Sequence, residues 1–206
     1  MANGTRCTYD SDTILFQMDR VECYKFCVDY IEKLNLVPTD TLLVVSIKKQ
    51  IMFLYNAGQC VKAYVISTSK MPPSCKENSL GTPWGLHEVS EIIGSNSPMG
   101  RVFKGRIDTG YLFNELPSEE QEQNLITTRI LRLKGLERGK NLGGCVDTHS
   151  RYIYIHGTNH ESKLGKPASS GCIQVSNKDV VELAKVVPVS SFLLILKDEE
   201  VDDESL

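Results

Sequence analysis

The spacing of apolar positions changes character near residue 40. Before it, Ile14, Met18, Val21, Val28, Ile31 and Leu34 recur at steps of three, four and seven, which predicts an amphipathic helix over 12–35. Ser11 or Asp12 can cap its start, and Pro38 closes it. Its apolar face is expected to pack on the rest of the chain, with a partner-binding arm as the alternative. From Thr41 short apolar runs take over, at 42–47, 51–55 and 61–66, with Asn56, Ala57, Gly58 and Gln59 as a turn. Such runs predict an antiparallel meander. Met71, Pro72, Pro73 and Ser74 break it into a loop. Residues 92–124 hold Gly94, Pro98, Gly100, Gly105, Gly110 and Pro117, an irregular stretch long enough to have a function of its own. Within it, Ser118 and Gln121 have the spacing of a capping box. Strand character returns over 125–133 and 152–155, the latter delivering His156 at its end with Tyr152 and Tyr154 on one face. Ser176 with Asp179 marks a helix start, and Val180, Leu183, Ala184 and Val187 give that helix a buried face. Residues 192–196 form a buried final strand, and 198–206 an acidic, solvated tail. No internal repeat is visible.

Composition changes this picture little. The 206 residues fit one domain with an extension, and 41% hydrophobic with 24% charged residues is ordinary for a soluble globular chain. A net charge of -3 gives no reason to expect nucleic acid or an anionic membrane as partner. Arg129, Arg132, Lys134, Arg138 and Lys140 cluster locally and read first as a solvated strand-and-loop face, and second as a contact for an acidic substrate. No apolar run approaches the ~20 residues of a membrane span. No basic region followed by a long apolar stretch marks a secretory leader. Seven cysteines leave at least one thiol unpaired within the chain. Cys23 and Cys27 lie four apart on one helical face, without a second pair at zinc spacing. Most of the cysteines read as small buried hydrophobes in a reducing compartment.

The chemistry concentrates in His156-Gly157-Thr158 and Ser169-Ser170-Gly171-Cys172-Ile173. A thiol becomes a working nucleophile when a base sits within hydrogen-bond reach. Cys172 is therefore the candidate nucleophile and His156 the candidate base; a buried structural cysteine and a core histidine are the bland alternatives. Gly171 permits a tight turn and close approach of a substrate. A helix beginning near Ser176 would add N–H groups and a positive partial charge that favour a thiolate. His149 and His160 read as loop or surface residues, His87 as a structural residue of a strand, and Trp84 as a packing anchor.

These residues resemble the catalytic signature of the YkuD-type L,D-transpeptidases. That pattern is His-Gly-Thr/Asn, a Gly-x-Pro-like stretch, and Ser-x-Gly-Cys-Ile-Arg; here it runs through His156, Gly165-Lys166-Pro167 and Ser169 to Gln174. Gly81-Thr82-Pro83-Trp84-Gly85 resembles the family's Thr-Pro-x-Gly turn, and residues 41–196 are covered. The resemblance implies a mainly β domain over 41–197, a mixed β-sandwich with a helix after the cysteine. A helical extension would precede it at 1–40, and 92–124 would form a flap over the cleft. It implies that a backbone carbonyl at Gly157 orients the imidazole and that the N–H groups of Gly171 and Cys172 receive an oxyanion. Thr158, Ser170, Gln174 and Tyr154 are the implied substrate contacts. Two positions depart from the pattern: Ser170 stands where His is frequent, and Gln174 replaces Arg, exchanging a carboxylate-matching fork for simple hydrogen bonding.

The implied activity is acyl transfer on peptidoglycan stem tetrapeptides through a Cys172 thioester, giving 3→3 cross-links. It needs no metal or organic cofactor, and carbapenems would acylate Cys172. An L,D-carboxypeptidase trimming muropeptides and an inactive peptidoglycan-binding relative are the alternatives. A sortase-like enzyme fits the short His-to-Cys gap poorly, and papain-like hydrolases have the reverse order. The family implies the cell envelope or periplasm; with no visible leader, a cytoplasmic location is the alternative.

Overall fold

The computed structural model describes residues 20–197, so the cap at Ser11 or Asp12, the helix positions Ile14 and Met18, and the acidic tail lie outside it. Helix α1 (Arg20–Lys33) precedes a meander of β1 (Thr41–Ser46), β2 (Ile51–Asn56) and β3 (Gln59–Val65). Then come β4 (Gly85–Ile93), the hairpin β5 (Arg101–Lys104) and β6 (Ile107–Leu112), the short helix α2 (Ser118–Gln121) and the long strand β7 (Ile126–Gly135). The described residues end with β8 (Tyr154–Gly157), β9 (Ile173–Val175), helix α3 (Asn177–Val186) and β10 (Phe192–Leu196).

The ten strands form one hydrogen-bonded network in the order β3-β2-β1-β10-β4-β7-β5-β6, with β8 and β9 branching from β7. β1 runs antiparallel to β2 and parallel to β10. β7 carries β4 and then β5 along one edge and β8 along the other. The branched sheet curls over a main core. β1 shows why its sequence is a continuous apolar run. Leu43 and Val45 face the main core, whereas Leu42 and Val44 face a second apolar layer under α1.

α1 closes that second layer with Cys23, Cys27 and Ile31. Its buried face is rotated from the expected one: the cysteines sit at its centre and Val21 is exposed. Tyr30 fastens the helix by donating to Glu137 Oε2 at 3.0 Å and accepting from Lys140 Nζ at 2.6 Å. The six described cysteines are free thiols.

The stretch 92–124 is more ordered than its glycines suggest, since it contains the end of β4, the β5–β6 hairpin and α2. Both faces of β6 are largely exposed, so no alternation could announce it. The expected capping box at Ser118 is not formed. Pro117 occupies the cap position and has no N–H, and Gln121 Nε2 instead donates to the Leu116 carbonyl at 2.7 Å. The strand before His156 begins at Tyr154, because Tyr152 sits in a turn at φ 57°.

Candidate active site

The site rests on a short parallel pair. β8 and β9 align Ile155 with Ile173, His156 with Gln174 and Gly157 with Val175. Ile155, Ile173 and Val175 enter the main core. Alternation therefore turns Tyr154, His156, Cys172 and Gln174 to the opposite face, with Cys172 diagonal to His156 across the pair. On that face Cys172 packs with Tyr154, Ile130 and Phe103. Ser67 closes the other edge of β9, exchanging backbone hydrogen bonds of 2.8 and 2.9 Å with Gln174.

His156 is buried, and its Nδ1 lies 2.7 Å from the Gly157 carbonyl. A carbonyl only accepts, so Nδ1 carries the proton and Nε2 keeps its lone pair. Burial outweighs this hydrogen bond and lowers the imidazole from its ordinary 6.5 to about 4. The Cys172 thiol donates to the Tyr152 carbonyl at 3.5 Å. Burial raises it to about 11, against smaller opposing pulls from the Tyr154 backbone and the charge of Arg151. At neutral pH the resting pair is thus uncharged. The three residues of β9 and the cap Ser176 lie between Cys172 and the first turn of α3 at Asn177.

The turn before Cys172 is built by Ser169. Its hydroxyl donates to the Cys172 carbonyl at 2.6 Å and accepts the Gly171 N–H at 3.2 Å. The expected oxyanion donor at Gly171 is thereby engaged at rest. Gly171 has φ 126°, and a Cβ there would meet Ile153 Cδ1 at 3.1 Å. A larger residue would be both strained and crowded. The Thr-Pro turn lies behind it. Thr82 Oγ1 accepts the Ser69 N–H at 3.0 Å, and Arg151 clamps the turn through the carbonyls of Ser74 and Gly81 at 2.9 and 2.7 Å. Ser170 is exposed and lines a cavity of about 290 Å³ with Leu80, Asp147, Arg151 and Tyr152.

The other expected substrate contacts are placed differently. Thr158 is fully buried, Gln174 is 3% exposed and Tyr154 is 3% exposed, so none offers a free surface at rest. Thr158 accepts the His160 N–H at 3.1 Å through Oγ1 and an Asn177 amide at 2.8 Å through its carbonyl. The Tyr154 hydroxyl accepts from Arg106 Nη1 at 3.1 Å. The basic cluster is not uniformly solvated: Arg129 is buried, donating to the Ser97 carbonyl at 2.6 Å, and Arg132 is largely enclosed. His149 contacts Arg132, and His160 meets the Glu122 carbonyl.

Residues that sequence reasoning passed over hold the site together. Asn177 Oδ1 accepts from Thr127 Oγ1 at 2.6 Å and from Thr128 Oγ1, while its amide nitrogen donates to the Thr158 carbonyl and Glu161, both at 2.8 Å. Its position beside the Ser176 cap was the available signal; its partners are far away in sequence.

The family model for the L,D-transpeptidase catalytic domain, YkuD, matches residues 40–195. The chain belongs to that family. It is 41% identical over 58 residues to the putative L,D-transpeptidase YkuD of Bacillus subtilis (strain 168), a match covering 26% of this chain and 35% of that protein. It is 42% identical over 57 residues to the putative L,D-transpeptidase YqjB of the same organism, covering 28% and 32%. The chain therefore spans about a third of the curated relatives it matches. Among solved structures, an L,D-transpeptidase from Mycobacterium smegmatis shares 15% identity, with a TM-score of 0.46 over 78% of this chain and 60% of that one. L,D-transpeptidase 3 from Mycobacterium tuberculosis shares 13% identity, with a TM-score of 0.49 over 78% and 63%. Among the described residues of this L,D-transpeptidase-family chain, no helix is long and apolar enough to cross a membrane.

Proposed function

We propose that this chain is a cysteine-dependent L,D-transpeptidase acting on peptidoglycan stem tetrapeptides. The observation that carries the reading is the β8–β9 register, which sets His156 beside Gln174 and puts Cys172, the residue just before β9, diagonal to His156, with Nδ1 held by the Gly157 carbonyl and Nε2 left as acceptor. Because both groups rest neutral, proton transfer accompanies attack. The thiol proton leaves the Tyr152 carbonyl for His156 Nε2 as sulfur bonds to the carbonyl carbon of the third stem residue. The oxyanion is received by the Cys172 N–H and by the Gly171 N–H once it swings from Ser169 Oγ. The C–N bond to terminal D-alanine breaks, and the imidazolium protonates the leaving amine. A neighbouring stem's amine then attacks the thioester, His156 takes its proton, and the cross-link and free thiol result. Water in place of the amine gives an L,D-carboxypeptidase, the second reading. The β5–β6 hairpin, tied to Tyr154 through Arg106, serves in this scheme as the flap beside the cleft.

Incubation with a disaccharide tetrapeptide, followed by mass spectrometry, tests the proposal. Loss of D-alanine with dimer formation is expected, with both abolished in Cys172→Ala. Tripeptide without dimer would replace the first reading by the second. No turnover, and no carbapenem adduct on Cys172, would overturn both.

A further inference from the structure

Two arginines converge on one tyrosine beside the thiol. The guanidinium carbon of Arg106 lies 4.8 Å from the Tyr152 ring centroid, and that of Arg132 lies 5.8 Å from it. The carbonyl of the same Tyr152 receives the Cys172 thiol, and the Arg106-bound Tyr154 packs against Cys172. We propose that Arg106 and Arg132, arrayed around Tyr152, form a carboxylate-binding subsite for the acidic acyl-donor peptide. This rests on the stem-peptide reading above and names residues that would select the donor.

Three features point to an anionic ligand. First, two positive charges share one carboxylate: Glu91 acts on both arginines, meeting Arg132 at 3.7 Å and making no ion pair with Arg106 among the described residues. The Glu91 side chain is about half exposed, so an incoming carboxylate can displace it. Second, Arg132 Nε is buried with no hydrogen-bond partner among the described residues, while Nη2 is spent on His149 at 3.2 and 3.3 Å. A buried donor left unsatisfied costs stability unless a ligand or water reaches it. Third, Arg106 is held in a costly conformation. The two-residue turn between Lys104 and Ile107 places Gly105 at φ 56° and Arg106 at φ 69°, the pattern of a type I′ hairpin. Glycine is the favoured residue at the second of those positions. An arginine there is strained, and the turn directs its guanidinium to Tyr154 and Tyr152. Planar guanidinium forks match carboxylates, and Gln174 supplies no such charge.

Calorimetric titration of the Cys172→Ala protein tests this without turnover. The probes are the disaccharide tetrapeptide and three analogues, each with one carboxylate converted to its amide. Arg106→Gln and Arg132→Gln, each placed in the Cys172→Ala background, are expected to weaken tetrapeptide binding about tenfold. One analogue is expected to bind the arginine-intact protein about tenfold more weakly and to be indifferent to Arg106→Gln. Unchanged affinities in both variants, or equal weakening of all four probes, would overturn the subsite. Arg106 sits at a hairpin tip, so its variant carries the test if Arg132→Gln fails to fold. Wild-type turnover with arginine-indifferent binding would sink the subsite alone. Charge-selective binding without turnover would sink the catalytic reading and keep the subsite. Absence of binding by every probe would sink both.

Discussion

A half-buried thiol on the same face as a buried imidazole has two resting forms, and desolvation decides between them. Here each charged form is disfavoured: the thiol is raised to about 11 and the imidazole lowered to about 4. The proton therefore stays on sulfur, directed at the Tyr152 carbonyl. If the site works as proposed, acylation measured as kcat/KM has a predictable pH profile. Activity requires neutral His156, which is lost below about 4, and protonated Cys172, which is lost above about 11. A plateau across the neutral range is expected, whereas an acid limb near 6.5 would show an ion-pair or solvated histidine instead. Alkylation of Cys172 by iodoacetamide should likewise accelerate only at strongly alkaline pH. At the same scale, burial changed the meaning of individual residues. Thr158 and Gln174, expected to touch substrate, are enclosed, and Arg132, read first as part of a solvated face and second as a contact for an acidic substrate, is largely enclosed.

At the scale of elements, the site depends on how three short pieces are locked together. β9 has three residues and β8 four, too little ladder to hold a fixed geometry alone. α3 supplies the lock. Its cap, Ser176, accepts the Asp179 N–H at 3.0 Å, and its first residue, Asn177, bonds to the bulge of β7 and to the chain just after β8. Thr128 in that bulge also accepts the Gly100 N–H at 2.8 Å, so the same node holds the base of the β5–β6 hairpin. Asn177→Ala would strand several buried partners. A loss of about 2–3 kcal/mol in unfolding free energy is expected from denaturant titration. Turnover should fall by more than the loss of folded protein explains, because the β8–β9 register would loosen. A change within about 0.5 kcal/mol would show that water replaces the amide without cost.

For the whole molecule, buried histidines make the fold sensitive to acid. His87 is fully buried between the Gly85 carbonyl at 2.9 Å and Thr148 Oγ1 at 3.1 Å, and burial lowers it from 6.5 to about 4. His156 is lowered the same way. Their folded values lie below their unfolded ones, so the unfolded chain binds protons first. Stability is full above 6.5 and is lost as pH falls through about 4. Each histidine can account for about 3 kcal/mol of that loss. Urea titrations between pH 7 and pH 4 should show this slope, and His87→Gln should flatten it; an unchanged slope would remove His87 as a cause. The sequence by itself determined the meander of strands, because apolar runs record burial directly. It determined the Ser176 helix start, because capping is local, and the candidate pair Cys172 and His156, because their short motifs carry the family resemblance. It could not indicate the β5–β6 hairpin, whose outer strand has no buried face, nor the rotated face of α1, where cysteines do the packing. The neutral state of the pair, the Asn177 node and the convergence of Arg106 with Arg132 were decided only by tertiary structure. Each depends on desolvation or hydrogen bonding by groups distant along the chain, and a local pattern of side chains holds no record of such neighbours.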